Sequence, residues 1–219
     1  MKPAYDLILF DLDGTLTDSE PGITSCVKYS LEKMGLPVPS HQVLRKFIGP
    51  PLYYGYVKFC GMTPEQAEKA SVYYREVYHT TGAFQNTPYP GIMELLEELK
   101  SAGATMAVAT SKPDPIAYRV LDYFKLSPYF SYIACPNESE HSGEKYVLLE
   151  SCLKHCGVKA ENAVMIGDTH FDIEGAQRAG THFIGVLYGF GTKEEMEEKG
   201  GRVFARNLAE LKELLLIPD

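Results

Sequence analysis

Short, predominantly apolar runs at positions 5–10, 105–109, 132–134, 163–166 and 182–186 punctuate the chain. Runs of this length without strict polar alternation predict strands covered on both faces, as in a parallel sheet. Between them the repeat lengthens to the three-to-four spacing of amphipathic helices. Ile92, Leu95, Leu96 and Leu99 share one face of a helix that follows Pro90-Gly91 and stops near Gly103. Further helices are predicted over 115–124, 144–156, 171–179 and 207–216. Strands alternating with helices in this way predict an α/β fold with a doubly wound, Rossmann-like parallel sheet.

Residues 18–87 break that rhythm. Helical patterns cover 22–34, 41–47, 52–60 and 64–80, and no run reads as a strand. The expected organisation is an α/β core of residues 1–17 and 88–219, with an all-helical domain inserted over 18–87. Turn signals at Asp18 and at Thr87-Pro88-Tyr89-Pro90-Gly91 mark the crossings. The insert is rich in tyrosine (Tyr53, Tyr54, Tyr56, Tyr73, Tyr74, Tyr78). Such amphipathic rings are expected mainly to pack its helices, with a minority open to a ligand.

Composition narrows the function classes. No apolar run reaches the ~20 residues of a membrane span, and Met1-Lys2-Pro3 lacks a signal-peptide layout. A cytoplasmic protein without a membrane partner is expected, acting as a monomer or homodimer. A net charge of −8 argues against nucleic acid as a partner. Five cysteines without a Cys-x-x-Cys pair argue for reduced thiols. Cys152, His155 and Cys156 are one ligand short of a zinc set, so packing is the expected role.

The chemistry concentrates where predicted strands end. Asp11-Leu12-Asp13-Gly14-Thr15-Leu16-Thr17-Asp18 crowds three acids behind the first strand, more than an Asp-Gly turn alone requires. Carboxylates this close raise the cost of ionising one another, which a cation relieves. The second strand runs into Thr110-Ser111-Lys112-Pro113, and the fourth into Gly167-Asp168-Thr169-His170-Phe171-Asp172. Lys145 opens the helix after the third. Ligands of an open parallel sheet bind beyond these carboxyl ends. Plainer roles exist for each group: Thr110 and Ser111 as helix caps, Lys145 as a solvated lysine, Asp168 and Asp172 as turn and cap acids.

Taken in order, these segments resemble the four motifs of the haloacid dehalogenase superfamily, over essentially the whole chain. Asp11-Leu12-Asp13-Gly14-Thr15 matches the first motif, Thr110-Ser111 the second, Lys145 the third, and Gly167-Asp168 with Asp172 the fourth. The third departs from the usual form: Glu144-Lys145-Tyr146 lacks the common proline, and His141-Ser142-Gly143 precedes it. The insert matches the helical cap of the subclass containing phosphoglycolate phosphatase and β-phosphoglucomutase. Asp18-Ser19-Glu20-Pro21-Gly22-Ile23, Phe47-Ile48-Gly49-Pro50-Pro51-Leu52 and Val186-Leu187-Tyr188-Gly189 are most similar to the phosphoglycolate phosphatase branch.

The resemblance implies a Mg2+-dependent phosphatase. Asp11 is then the nucleophile that becomes an aspartyl-phosphate, and Asp13 the proton shuttle. Mg2+ would sit between Asp11, the backbone carbonyl of Asp13, and Asp168. Thr110, Ser111 and Lys145 would hold the phosphoryl oxygens, with Lys112 a competitor for Lys145, and Asp172 would hold groups around the metal. The expected substrate is a small phosphorylated metabolite, with phosphoglycolate leading and a nucleoside 5′-monophosphate as rival. Arg45, Lys46 and Arg75 are the insert's candidates for a substrate carboxylate. A β-phosphoglucomutase-like phosphomutase is a less favoured alternative. A receiver-like phosphorylation switch also clusters acids, Thr/Ser and Lys, but it has neither the insert nor an acid at Asp13.

Overall fold

The computed structural model describes residues 1–137 and 144–218, so His141-Ser142-Gly143 lies outside the described residues. The chain divides into two compact units, Met1–Thr17 with Pro88–Asp219, and Asp18–Thr87.

The first unit is an α/β layered structure around a six-stranded parallel sheet. Its strands are β1 (Leu7–Phe10), β2 (Thr105–Ala109), β3 (Tyr132–Ala134), β4 (Ala163–Gly167), β5 (His182–Val186) and β6 (Phe204–Ala205). Their spatial order is β3-β2-β1-β4-β5-β6. The chain builds outward from β1 to one edge, then returns to β1's other side at β4. That reversal is the switch point where open α/β sheets leave a crevice. Every residue of β1 is fully buried, which explains its run of Leu-Ile-Leu-Phe. Each such side chain contributes about 1.5–3 kcal/mol of burial. On one face, Leu7, Leu9, Ala107, Ala109 and Met165 pack against Leu148, Leu149 and Cys152 of helix Lys145–Cys156, and against Ala176 of helix His170–Ala179.

Register levels the strand ends. Phe10 lies opposite Val108 on one side and Ile166 on the other. Asp11 follows Phe10 directly, whereas β2 and β4 run one residue further, through Ala109 and Gly167, before Thr110 and Asp168. The motif acids and hydroxyl therefore leave neighbouring strands at nearly one level. The first strand starts at Leu7 rather than Tyr5, because Tyr5 and Asp6 turn into it. The elements that escaped the hydrophobic pattern include the two-residue β6, helix Lys193–Glu198 and the short antiparallel pair Lys2–Pro3 and Leu216–Ile217.

The second unit contains helices Glu20–Lys33, His41–Arg45, Leu52–Cys60 and Pro64–Tyr78. Thr63 and Gln66 cap the last of these reciprocally, and Pro64 occupies its first turn, where no amide partner is lost. Tyr56 is fully buried, with its hydroxyl 2.5 Å from Ser30 Oγ. Phe47 meets the Tyr56 ring edge-on, and Tyr74 stacks on Tyr78. Packing therefore occupies these three tyrosines, while Tyr54 stays exposed. Asp18 accepts the Glu20 amide at 3.1 Å, a structural role at the start of the unit.

Candidate active site

Asp11 follows β1, and its amide donates to the Ile166 carbonyl at 2.9 Å, which ties the residue to β4. Asp168 follows β4 directly and has no exposed surface. Its Oδ2 accepts the Phe190 amide at 2.7 Å, and Oδ1 lies 3.4 Å from the Thr15 hydroxyl. Gly14 makes this approach possible. It adopts φ +87°, and a Cβ there would fall 2.2 Å from Asp168 Oδ2.

Lys145 enters from the first turn of its helix. Its ammonium lies 3.0 Å from Asp11 Oδ1 and 2.9 Å from Asp172 Oδ1, and it donates to the Ala109 carbonyl at 3.0 Å. Three neighbours match the three donors of an ammonium. The other oxygen of Asp172 accepts both the amide and the hydroxyl of Thr169, at 3.0 and 2.8 Å. Gly175 provides the passage for Lys145, since a Cβ there would lie 2.5 Å from Lys145 Cγ.

A second lysine serves the other motif acid. Lys112 donates to both Asp13 oxygens, at 2.9 and 2.7 Å, and both residues are buried. The Lys112 amide donates to Thr110 Oγ1 at 3.2 Å, so the Thr110 hydroxyl is used there as an acceptor and its proton can point elsewhere. Thr110 is buried and Ser111 half-buried at the same rim.

Electrostatics sets this rim apart. Burial pushes the Asp11 carboxyl up to about 6, with Lys145 opposing and Asp172 adding to the rise. Burial, with Asp172 and Asp11 nearby, holds Asp168 well above the ordinary carboxylate range. For Lys145, burial favours the neutral amine, but Asp11 and Asp172 outweigh it and raise the ammonium's pKa. Among the described residues, the buried charged side chains are Asp11, Asp13, Asp168 and Asp172 against Lys112 and Lys145. With all six ionised, two negative charges would be uncompensated, equal to the charge of one divalent cation. Without an ion, Asp11 and Asp168 hold their protons more tightly instead. Asp11, Asp168 and Asp172 each offer an oxygen, all within 4.8 Å of one another. Oxygen donors of this kind suit a hard ion such as Mg2+. The Asp13 carboxylate lies outside that trio and is held by Lys112, so its backbone carbonyl is the ligand it could offer.

The carboxyl end of the sheet thus assembles Asp11, Asp13, Thr110, Ser111, Lys112, Lys145, Asp168 and Asp172. Arg45, Lys46 and Arg75 belong to the helical unit; Arg45 pairs with Glu20 at 3.0 Å, Lys46 is exposed and Arg75 half-buried. His170 is half-exposed with its ring against Phe171. Cys152 is buried in the core, where burial pushes its thiol up to about 12, and His155 stacks on Tyr132. Cys156 packs against the same core, and among the described residues none of the three belongs to a group that could hold a metal ion. The Phe190 amide and the Lys112–Asp13 contact had no counterpart in the sequence reading. Only the presence of a lysine two residues beyond Thr110 hinted at the second.

Comparison with known proteins places this geometry in a family. The model of haloacid dehalogenase-like hydrolases matches residues 8–186, and the chain belongs to that family. It is 38% identical to a 5′-nucleotidase of Pseudomonas aeruginosa, over 96% of each chain. It is 36% identical to the tyrosine-protein kinase PtkA of Mycobacterium tuberculosis, covering 95% of this chain and 72% of that one. Phosphoglycolate phosphatase 1 of P. aeruginosa is 30% identical, covering 94% and 78%. Among solved structures, a predicted phosphatase from Clostridium acetobutylicum superposes with a TM-score of 0.91 at 38% identity, covering 96% and 97%. Among the described residues, no helix is long and apolar enough to cross a membrane.

Proposed function

We propose that this hydrolase is a Mg2+-dependent phosphomonoesterase that turns over through an aspartyl-phosphate on Asp11. The observation carrying the reading is the buried rim of four carboxylates and two ammoniums, two positive charges short of neutrality with all six ionised. Asp11 and Asp168 would hold Mg2+ with the backbone carbonyl of Asp13, while Asp172 fixes Lys145 beside them. Bound there, the ion would cancel the repulsion between a carboxylate nucleophile and an anionic phosphoryl group.

In the first step an Asp11 oxygen forms a bond to phosphorus as the ester P–O bond breaks, and Asp13 gives its proton to the leaving oxygen. In the second, Asp13 takes a proton from water, the water oxygen bonds to phosphorus, and the Asp11–phosphorus bond breaks to release inorganic phosphate. The Thr110 hydroxyl and Ser111 amide serve the phosphoryl oxygens, with Lys145 neutralising charge at Asp11. Residues 18–87 would serve as the helical cap domain that the family resemblance implies.

The favoured substrate is a nucleoside 5′-monophosphate. The 5′-nucleotidase relative supports this over phosphoglycolate, at 38% against 30% identity and with both chains covered almost fully. The tyrosine-rich cap is consistent with stacking on a base. Phosphoglycolate is the second reading, with Arg45, Lys46 or Arg75 facing its carboxylate. Phosphate release from a panel of nucleoside monophosphates, phosphoglycolate and hexose phosphates, with Mg2+ or EDTA, tests both. Turnover that needs Mg2+ and vanishes in Asp11→Asn is expected, with the highest kcat/KM for a nucleotide. Phosphoryl transfer from ATP to a tyrosine peptide without ester hydrolysis would overturn the reading in favour of a PtkA-like activity.

A further inference from the structure

The four-motif scheme gives Lys112 no task beyond competing for phosphate, yet it is one of two buried lysines in the protein's described residues. Its side chain is 3% exposed and that of Asp13 is 11% exposed. Burying such a pair is costly, and apolar side chains of similar volume fill space at least as well. The contact is also not a product of chain proximity, because 99 positions separate the two residues. Lys112 is held in turn: its amide donates to Thr110 Oγ1, and Thr110, directly after β2, donates its own amide to the Ala134 carbonyl at the end of β3. The ammonium therefore stands on the sheet, whereas Asp13 sits in a loop between Leu12 and Gly14.

We propose that Lys112 is a positioning residue for Asp13, fixing the carboxylate's direction so that one oxygen faces the leaving group while the other stays on the ammonium. The inference rests on the phosphatase reading above. It divides labour between the two buried lysines: Lys145 serves the nucleophile Asp11, and Lys112 serves the proton shuttle. A proton donor misplaced by about 1 Å loses much of its effect, so the cost of losing this contact falls on the step that needs the proton.

Leaving-group dependence separates this role from phosphate binding. p-Nitrophenolate leaves readily without a proton, whereas the alkoxide of an alkyl phosphomonoester does not. Lys112→Met should lower kcat/KM about 100-fold for the best alkyl ester of the substrate panel, and less than about 10-fold for p-nitrophenyl phosphate. Asp13→Asn should give the same pattern. The double variant should be no worse than Asp13→Asn alone, since both act through one proton transfer. Equal losses on the two esters, or losses that multiply in the double variant, would overturn the assignment and return Lys112 to phosphate binding. Lys112→Gln, assayed beside it with thermal melts of each variant, keeps the test intact should the methionine variant fail to fold. Wild-type protein that hydrolyses neither ester would overturn the phosphatase reading and this inference together; hydrolysis with an equal loss overturns this inference alone.

Discussion

In the α/β unit, six charged side chains are buried together at the carboxyl end of the sheet, whereas the ion pairs of the helical unit lie partly or fully at the surface. Lys28–Glu32 and Lys33–Glu76 are examples there, and Arg45–Glu20 is 43% exposed at the arginine. The two arrangements differ in what breaking a contact costs. A surface pair is worth ~0–1 kcal/mol, because water and salt replace its partner. Removing one member of a buried pair costs ~3–5 kcal/mol, because the other is left charged without water. The buried rim therefore holds its geometry closely, as a reaction requires. The surface of the helical unit can change its charges at little cost to the fold.

The contrast can be tested at four strengths. Asp11→Asn should reduce Mg2+-dependent phosphate release by at least about 1000-fold, the scale seen when a nucleophile is removed. A folded variant that keeps a tenth of the activity would remove Asp11 from the reaction. Lys145→Met should follow, leaving Asp11 and Asp172 facing each other without a cation. The expected loss is ~3–5 kcal/mol, read from denaturant midpoints. Mg2+ should recover more of it for this variant than for the wild type.

The third test is pH. Burial lifts the Asp11 carboxyl from its ordinary 3.8 to about 6, and burial likewise holds Asp168 well above the ordinary carboxylate range. An acid whose folded pKa is raised binds protons more tightly in the native state. Metal-free stability is then greatest below about pH 4 as far as these groups contribute, and falls as pH rises through 4 to 6 and beyond. Melting temperatures in EDTA should therefore decline from pH 5 to pH 7.5, and Mg2+ should flatten the slope. An unchanged slope would separate the ion from these carboxylates. The smallest effect is expected from Arg45→Ala, with a stability change within about 0.5 kcal/mol by chemical denaturation. Should that variant raise KM for phosphoglycolate but not for a nucleotide, the second substrate reading gains its carboxylate contact.

Much of this was legible from the chain, and the reasons are specific. Leu7-Ile8-Leu9-Phe10 reads as a central strand because both its faces are buried, and Asp11 then falls at its carboxyl end by counting. Asp168 is placed the same way by β4. The parallel sheet and the helical composition of 18–87 follow from a change in hydrophobic period. β6 was missed because two residues, Phe204 and Ala205, carry no period at all. The Phe190 amide on Asp168 was invisible because every residue except proline has an amide, so sequence cannot mark the one that matters. Lys112 was seen but assigned by its neighbours in sequence, where phosphate was the obvious anion. Its contact with Asp13 depends on how two loops close over the sheet, which no local pattern encodes.

The central position of β1 has a consequence for how the molecule comes into being. This strand precedes both of its neighbours in the sheet, Thr105–Ala109 and Ala163–Gly167, by long stretches of chain. During synthesis its four apolar residues gain a first sheet partner only when Thr105 has followed Leu7 by 98 positions, and a second only when Ala163 has followed it by 156. Pairings of such long sequence separation are slow to form and leave an aggregation-prone edge in the interval. The acids of Asp11–Asp18 follow that strand immediately, and they keep a charged, soluble segment beside it throughout the wait.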